Sequence, residues 1–466
     1  MQIDLYDCVS PLDFRYYGPD DELVQRLGPY VSERGRVASE LLVEVALVRV
    51  LANRGVCSQR VAEEVAAAAG KVTPEQVAAE EARVKHNTRA LVKALSNHVS
   101  AQAKPYIHFT ATSFDIVDTA AAWRYRRAAE EVLVPDLKAL VRILLDLARR
   151  EKDTLQIGRT HGQHAVPITF GFAVVQYVSR LGERVEAIER TAQALPGKFS
   201  GAVGAYNASA LFFDDPEAFE AEVLAELGLH AAPCSTQIVH AEYLADFAHA
   251  LVTTWGVLAN LSDDMRHLQR TEIGEVGEAF DKDQVGSSTM PHKRNPMNFE
   301  NVKSLWKRFM PQMMTVYADQ ISEHQRDLTN SASSRFAAEI VVALACSVKR
   351  LRRVCERLVT DGQRMRRNLG LTEGLIAAEP AYILLAALGH PDAHEAVRQL
   401  TLQAEAEGRS FWACMEAAQE LRPYLERLSE RQLDMLRDPA QYVGVASRKT
   451  EAVCRLWEKR LGLGRG

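Results

Sequence analysis

Residues 286–296 read Gly-Ser-Ser-Thr-Met-Pro-His-Lys-Arg-Asn-Pro, and no other stretch of the chain is as informative. Two adjacent serines follow Gly286, and Lys293 lies six positions after the first serine. Glycine frees the backbone, whereas Pro291 and Pro296 each fix φ and remove an N–H donor. This composition predicts a loop that moves and then holds a hydroxyl, an ammonium and an amide together, which an ordinary solvated turn does not need.

The run resembles the signature loop of the fumarase/aspartase superfamily, whose pattern is Gly-Ser-Ser-x-Met-Pro-x-Lys-x-Asn-Pro. The histidine after Met-Pro, His292, and the later run Phe299-Glu-Asn301 are most similar to the adenylosuccinate lyases within it. Members of that family cleave fumarate from a succinylated amine by β-elimination. The resemblance extends over about residues 8–385 and is weakest at the end of the chain.

Length and composition indicate a globular protein of several domains. The chain has 466 residues, of which 47% are hydrophobic and 25% charged, and this length suggests about three domains. The formal net charge of −5 argues against a nucleic-acid partner, because nucleic-acid-binding surfaces carry a basic excess. A small anionic substrate remains compatible with this charge, since local arginines matter more than the sum.

The cysteines and the apolar runs predict a cytoplasmic location. An odd, dispersed set without a Cys-x-x-Cys pair is typical of reduced thiols in a reducing compartment. Residues 1–7 lack the basic start and apolar stretch of a signal peptide, and no run approaches the ~18 apolar residues that span a bilayer. We therefore expect no membrane partner. The cysteines are Cys8, Cys57, Cys234, Cys346, Cys355, Cys414 and Cys454.

Five apolar seams at helical spacing predict an all-α fold. Large apolar residues recur at steps of three and four, as on helices that bury one face. We expect helices of about 25 to 35 residues, joined by loops into a bundle. One subunit would not cover all these apolar faces, which favours an oligomer. The seams run through residues 133–147, 174–188, 251–268, 302–316 and 340–358.

The domain boundaries follow from these seams and from Gly- and Pro-containing stretches between them. An N-terminal helical domain is expected over residues 1–110, the central bundle of long helices over 111–362, and a C-terminal helical domain over 363–466. The resemblance implies that together they form the three-domain lyase fold. It also implies a homotetramer whose active sites draw on three subunits.

A second candidate site lies in residues 158–171, which resemble another signature region of the family. A lone histidine is most often structural, but His161 lies in a polar, Gly-rich turn before Pro167 and a helix, where catalytic groups concentrate. The resemblance implies that His161 is the general acid for the leaving nitrogen, a role that suits imidazole near neutral pH. It also implies a substrate contact at Thr160, whereas His164 matches no catalytic position.

The resemblance assigns Ser287 as the base that removes a proton from the carbon beside a carboxylate. A free serine is a very weak base and needs activation. Lys293 and N–H groups of the loop would supply it by stabilising the alkoxide and the developing negative charge. Asn295 is expected to bind the substrate carboxylate, and Ser288 is a rival for the base because it is adjacent.

A third motif, residues 109–115, resembles the family region Thr-Ser-x-Asp and follows His108, which we expect to contact substrate. The hydroxyls of Thr112 and Ser113 would bind a carboxylate. Asp115 either belongs to this binding site or caps the helix that starts there, and the sequence leaves both open.

His86 matches a family histidine that lies close to the acid, so the resemblance implies a catalytic role, with Lys85 and Asn87 on either side as substrate contacts. Its surroundings alone would indicate a solvated surface residue. The resemblance implies that arginines hold the phosphate, which guanidinium forks fit bidentately. Without it, the run around Arg326 would indicate a charged helix start with ordinary surface arginines. The positions that match nucleotide contacts of the family are Arg15, Tyr16, Arg326, Ser331 and Arg335, and Gln237 matches another substrate contact.

The sequence has no Gly-rich phosphate loop, no metal-ligand spacing and no dinucleotide fingerprint. The resemblance implies that no metal or organic cofactor is required, since the substrate's own carboxylate takes up the charge. Gly274, Gly277 and Gly286 are better suited as hinges of a lid that excludes water.

Two residues depart from the family pattern: Phe114 stands where a small polar residue is usual, and Gln325 where many relatives have glutamate. The resemblance implies a lyase that splits adenylosuccinate into AMP and fumarate and that also acts on the succinylated aminoimidazole carboxamide ribotide. One alternative is a sister lyase or cycloisomerase acting on argininosuccinate, malate or carboxymuconate, but those substrates lack a phosphate for the arginines. Another is an inactive structural protein, which would be expected to have lost the acid or the base.

Overall fold

The computed structural model describes residues 4–464. The chain divides into two compact units. The first comprises Met1–Leu137, Glu183–Leu258 and Ser304–Lys349, and the second comprises Lys138–Gly182, Ala259–Lys303 and Arg350–Gly466. These boundaries differ from those expected near residues 110 and 362, and the three-domain organisation stays a prediction.

Helices dominate the described residues, so the predicted all-α fold is confirmed. The N-terminal helices are α1 (Asp21–Val31), α2 (Glu33–Asn53), α3 (Gln59–Ala69), α4 (Pro74–Val84), α5 (Asn87–Ser96) and α6 (Ser113–Ala128). The middle ones are α7 (Val134–Arg150), α8 (Phe170–Gln193), α9 (Pro216–Ala225), α10 (Glu242–Leu268), α11 (Met297–Phe309), α12 (Gln312–Ala318) and α13 (Ala337–Glu356). The C-terminal ones are α14 (Gly362–Leu369), α15 (Ala378–Ala387), α16 (Ala393–Glu407), α17 (Phe411–Ala417), α18 (Arg422–Leu425), α19 (Glu430–Arg437) and α20 (Ala446–Leu461).

Four of the five predicted seams each fall on one helix: those over 174–188 and 251–268 lie within α8 and α10, and those over 133–147 and 340–358 overlap α7 and α13. The seam over residues 302–316 is not one helix, because α11 ends at Phe309 and Pro311 is the N-cap residue of α12. Proline has no N–H and its ring clashes with the preceding turn, so the first helix stops before it. The expected lengths hold for α10, with 27 residues, but are too long for α7, with 17.

Strands are few, as predicted, and they form two antiparallel pairs. β1 (Leu155–Thr160) pairs with β2 (Gln163–Thr169), and β3 (Val276–Gly277) pairs with β4 (Val359–Thr360). Pro167 lies inside β2, opposite Ile157. A two-stranded ribbon has only edges, where a residue without an N–H is tolerated.

Burial of α2 is the feature of the first unit that matters most for the site. Fourteen of its 21 residues are buried, including Glu44, so a carboxylate is held inside this unit. In the second unit, the C-terminal helices enclose a core that includes Phe411, Cys414 and Met415.

All seven cysteines lie in the described part of the chain and are free thiols, as expected. Within residues 4–464, none of the helices combines the length and the apolar character that crossing a bilayer requires.

Candidate active site

His161 lies at the tip of the β1–β2 hairpin. Thr160 and Gln163 pair with each other, and the two residues between them have positive φ, 52° at His161 and 75° at Gly162. Two consecutive positive φ angles define the tight hairpin turn that matches the twist of the strands. The turn predicted from the sequence is therefore the end of a hairpin, and it exposes the imidazole to solvent.

The Glu275 carboxylate holds this hairpin in place. Glu275 is fully buried, and its oxygens accept hydrogen bonds from Gln156 Nε2 (2.7 Å) and from both terminal nitrogens of Arg159 (2.6 and 3.2 Å). Asn368 Nδ2 donates a further bond of 2.8 Å. Because Arg159 is two residues from His161, these bonds anchor the strand that carries the candidate acid.

Changing Glu275 to Gln is expected to lower the stability of the fold by about 3 kcal/mol, the low end for breaking a buried ion pair. All of the hydrogen-bond partners of Glu275 are donors. The N–H₂ group of the new glutamine would therefore lie against a donor and find no acceptor. Chemical unfolding of the variant measures the loss. The matched control is Glu272→Gln, which alters an exposed glutamate three residues away and should leave stability unchanged. Equal stability of the two variants would contradict the anchoring role of Glu275.

The signature loop folds back on itself around Gly286. A Cβ at Gly286 would lie 2.1 Å from the carbonyl oxygen of Lys293, and Asn295 Nδ2 donates to the carbonyl oxygen of Gly286 at 2.8 Å. Glycine is therefore required here by the close approach of two backbone segments. This differs from the hinge expected from the sequence, and motion of the loop stays a prediction.

Ser287 already lies among hydrogen-bond donors. Its Oγ accepts the backbone N–H groups of Met290 (3.1 Å) and Thr289 (3.4 Å). Donors to an oxygen favour its negatively charged form, so these two N–H groups are placed to stabilise an alkoxide. Lys293, in the same loop, is exposed.

Glu278 joins the two ends of the signature loop, because it precedes the loop and binds residues that follow it. Its carboxylate accepts the backbone N–H groups of Asn298 (2.9 Å) and Phe299 (3.0 Å), at the start of α11. Burial raises the pKa of Glu278, although these donors oppose the effect. The segment from Glu275 to Glu278 therefore anchors the hairpin that carries His161 and the loop that carries Ser287.

A second group of predicted residues meets in the first unit. The guanidinium of Arg326 lies over the ring of Phe114, with Cζ 3.6 Å from the centroid. The backbone N–H of Gln237 donates to the carbonyl oxygen of Gln325 at 3.4 Å. The Asp118 carboxylate accepts the N–H of Val239 at 2.9 Å. Gln237 and Arg326, which are both expected to contact substrate, therefore lie on neighbouring segments near the start of α6.

Burial shifts the pKa values of two charged groups in this cluster, Asp118 and Arg326. Although Asp118 as a residue is partly exposed, its carboxyl group lies deep enough that burial raises its pKa to about 6, against the N–H of Val239 and the charges of Lys198 and Arg326. Burial lowers the pKa of Arg326, while Asp118 and Asp327 oppose the shift. A guanidinium keeps its charge even so, and a partly desolvated cation interacts more strongly with an anion.

His108 has its own carboxylate partner. Its Nδ1 lies 2.7 Å from one oxygen of Glu44, and its backbone N–H donates to the other at 2.8 Å. Burial alone would lower the pKa of the imidazole, but the charge and hydrogen bond of Glu44 outweigh burial and raise it. The ring is therefore oriented through Nδ1, which leaves Nε2 as the atom for another partner.

Asp115 fills the structural role that the sequence left open. It is fully buried; Oδ2 accepts the backbone N–H of Thr112 at 2.7 Å, which caps α6, and Oδ1 accepts from Gly201 N (3.2 Å) and the buried Lys198 ammonium. Both oxygens are thus engaged by protein groups. Asp115 positions the N-terminus of α6, where Thr112 and Ser113 lie, and its contact with substrate stays a prediction.

His86 is the N-cap residue of α5. Its Nδ1 accepts the backbone N–H of Arg89 at 3.3 Å, so in the neutral ring the proton lies on Nε2, which becomes a donor. Lys85, in the left-handed conformation, ends α4, and Asn87 begins α5. The remaining nucleotide candidates are exposed, as are Arg15, Ser331 and Arg335, or half-buried, as is Tyr16. Their convergence on one nucleotide stays a prediction.

Glu275, Glu278 and Asp118 were missed by the sequence analysis. Nothing in residues 272–278 distinguishes the buried glutamates from the exposed Glu272. The unusual residue type at Phe114 was the one feature of the sequence that could have indicated an aromatic partner for Arg326.

Comparison with known proteins first defines the class. Residues 14–310 match the family model described as Lyase, and residues 322–443 match that of the adenylosuccinate lyase C-terminal region. The solved 3-carboxy-cis,cis-muconate lactonizing enzyme from Pseudomonas putida has a TM-score of 0.81 and 29% identity, over 93% of this chain and 97% of that one. The fold and the two models therefore identify a helical lyase.

The relatives narrow the class to one family. An adenylosuccinate lyase from Pyrococcus abyssi is 37% identical over 97% of this chain and 98% of its own. An N-acetyl-S-(2-succino)cysteine lyase from Dickeya dadantii is 30% identical over 91% and 92%. The chain belongs to the adenylosuccinate lyase family. The resemblance inferred from the signature motifs is thus confirmed.

Proposed function

We propose that this chain cleaves adenylosuccinate into AMP and fumarate, and that it performs the same β-elimination on the succinylated aminoimidazole carboxamide ribotide of purine biosynthesis. The observation that carries the proposal is the signature loop, in which Ser287 Oγ accepts two backbone N–H groups. Such donors favour the alkoxide, which is the form that a serine needs in order to act as a base. Membership of the family supplies the substrate class.

The reaction needs one proton removed and one delivered. Ser287, as the alkoxide, takes the proton from the carbon beside a carboxylate, and the electron pair moves into that carboxylate. The ammonium of Lys293 and the amide of Asn295 stabilise the resulting dianion. The pair then returns to form the double bond of fumarate as the carbon–nitrogen bond breaks, and His161 protonates the departing nitrogen.

The rest of the substrate is held by groups with matching charge. Hydroxyls of Thr112 and Ser113 bind a carboxylate, and His86 belongs to the catalytic group. The further substrate contacts are Lys85, Asn87, His108 and Thr160. Arginine forks suit the phosphate because they bind it bidentately. The nucleotide contacts in this proposal are Arg15, Tyr16, Arg326, Ser331 and Arg335, and Gln237 is another substrate contact.

We propose a homotetramer in the cytoplasm, with active sites shared between subunits. Support comes from apolar side chains that the chain leaves exposed in residues 310–321: Met314 is 72% and Ile321 79% exposed, and Met310 and Tyr317 continue the same spacing of three and four residues. Contiguous exposed apolar surface marks interaction sites. Sizing at several concentrations tests the assembly.

Incubation with adenylosuccinate tests the proposed activity. We expect fumarate and AMP in equal amounts, measured by absorbance and chromatography. A succinylated thiol is the matched control substrate, because one relative is named for such a compound. Release of fumarate from the thiol, and none from either purine substrate, would overturn the proposal.

A further inference from the structure

Both departures from the family pattern meet at Arg326. Phe114 stacks against its guanidinium, and Gln325 precedes it in the chain. The separation of 3.6 Å is the shortest among the arginine–aromatic contacts in the described part of the chain, the next being 4.3 Å between Arg460 and Trp457. A cation within about 6 Å of a ring centroid is attracted by its face. The Phe114 contact is therefore a true stack.

Two contacts fix the orientation of the guanidinium. The ring of Phe114 lies against the guanidinium carbon, and Nε donates to the carbonyl oxygen of Asp327 at 2.6 Å. Neither contact uses the two terminal Nη groups. These form the edge with which arginine grips a phosphate through two parallel hydrogen bonds.

The neighbouring Gln325 supplies a second observation that points to a ligand. Its side-chain Oε1 is buried and has no hydrogen-bond partner among residues 4–464. A buried acceptor without a donor is unfavourable by about 1–3 kcal/mol, so a ligand that brings a donor would relieve it. The hydroxyl and amino groups of a nucleoside are such donors, whereas the dianionic phosphate group of a nucleotide has no O–H to donate.

We propose that Phe114 is a specificity-determining residue: it positions Arg326 so that the guanidinium fork meets the substrate's phosphate, with the nucleoside alongside Gln325. This inference rests on the proposed function and names how that site selects phosphorylated substrates. Phe114 acts through Arg326 and does not take part in the proton transfers. It therefore governs substrate affinity and leaves the chemical step unchanged.

Phe114→Leu tests the inference, because leucine keeps the apolar bulk and removes the aromatic face. We expect the KM for adenylosuccinate and the inhibition constants of AMP and inorganic phosphate to rise about two- to thirtyfold, as loss of a cation–π contact of about 0.5–2 kcal/mol predicts. The kcat should change less than about twofold. Phe114→Trp, which keeps the aromatic face, should retain the wild-type constants.

A matched control is Trp412→Leu. It removes the ring under Arg437, a contact of the same kind at 5.4 Å in the C-terminal helices, and should leave KM unchanged. A Phe114→Leu variant with wild-type KM and inhibition constants would overturn the inference. So would loss of kcat and thermal stability at unchanged KM, which indicates packing alone.

Failure of the proposed function can be distinguished from failure of the inference about Phe114. If the wild-type chain released no fumarate, direct titration with AMP and phosphate would still compare wild type with Phe114→Leu. Weaker binding of both ligands by the variant would support the stack as a phosphate-positioning device. Equal binding, or absence of binding by the wild type, would overturn it.

Discussion

Replacing Ser287 with alanine is expected to lower kcat for adenylosuccinate at least ~10²-fold, the low end of what a positioned base contributes. The structural reason is that Ser287 Oγ is the atom that two backbone N–H groups surround, those of Thr289 and Met290. Without the hydroxyl these donors have no oxyanion to stabilise. The loop stems are held by Glu278 and the start of α11, so folding should be unaffected.

Ser288→Ala is the matched control for this prediction. Ser288 is adjacent and exposed, so it experiences the same loop without the same hydrogen bonds. Steady-state rates and circular dichroism of the two variants decide between them. Near-normal turnover by Ser287→Ala would remove the residue from its role as base, and a large loss in Ser288→Ala would transfer that role.

Replacing His161 with asparagine is expected to reduce turnover by a similar factor, at least ~10²-fold, because the departing nitrogen would lose its proton donor. Asparagine is the informative replacement. The hairpin turn requires φ near 52° at this position, and asparagine adopts the left-handed region more readily than alanine. A loss of activity can then be attributed to the imidazole, since the turn is retained.

His164→Asn is the control in the same hairpin. Burial and the nearby Arg159 charge lower the pKa of His164, and its Nδ1 is buried without a partner among the described residues. These surroundings do not suit a donor of protons to substrate, so the variant should keep near-normal turnover. The loss in His161→Asn should also shrink with a substrate whose leaving group departs without protonation. An equal loss with both substrates would contradict the role of general acid.

Much of the architecture was predictable because helical periodicity is local. The seams over residues 174–188 and 251–268 lie within α8 and α10, since an apolar face repeats every three to four residues whatever it packs against. The seam over 302–316 failed for an equally local reason, the proline at position 311. The β1–β2 hairpin escaped prediction because Pro167 inside a run argues against a strand.

Within the candidate site, residue types could be predicted but their partners could not. Asp115 was left between substrate binding and helix capping, and its surroundings, with the buried Lys198, match the second. Nothing in the sequence distinguished Glu275, although it holds the hairpin that carries the candidate acid. A buried carboxylate is recognised by the donors around it, and these come from remote parts of the chain.

The sequence by itself determined which functional groups the candidate site contains: a hydroxyl, an ammonium, an imidazole and arginine guanidinium groups. Each is a property of one side chain in a recognisable motif. Tertiary structure alone decided which of them are held, and by what. Gln156 donates to Glu275, which is 119 residues away in the sequence. Arg326 contacts Phe114, although the two residues belong to different sequence segments of the first unit. Such contacts depend on how whole helices and loops pack, whereas local pattern specifies only the backbone conformation of each segment.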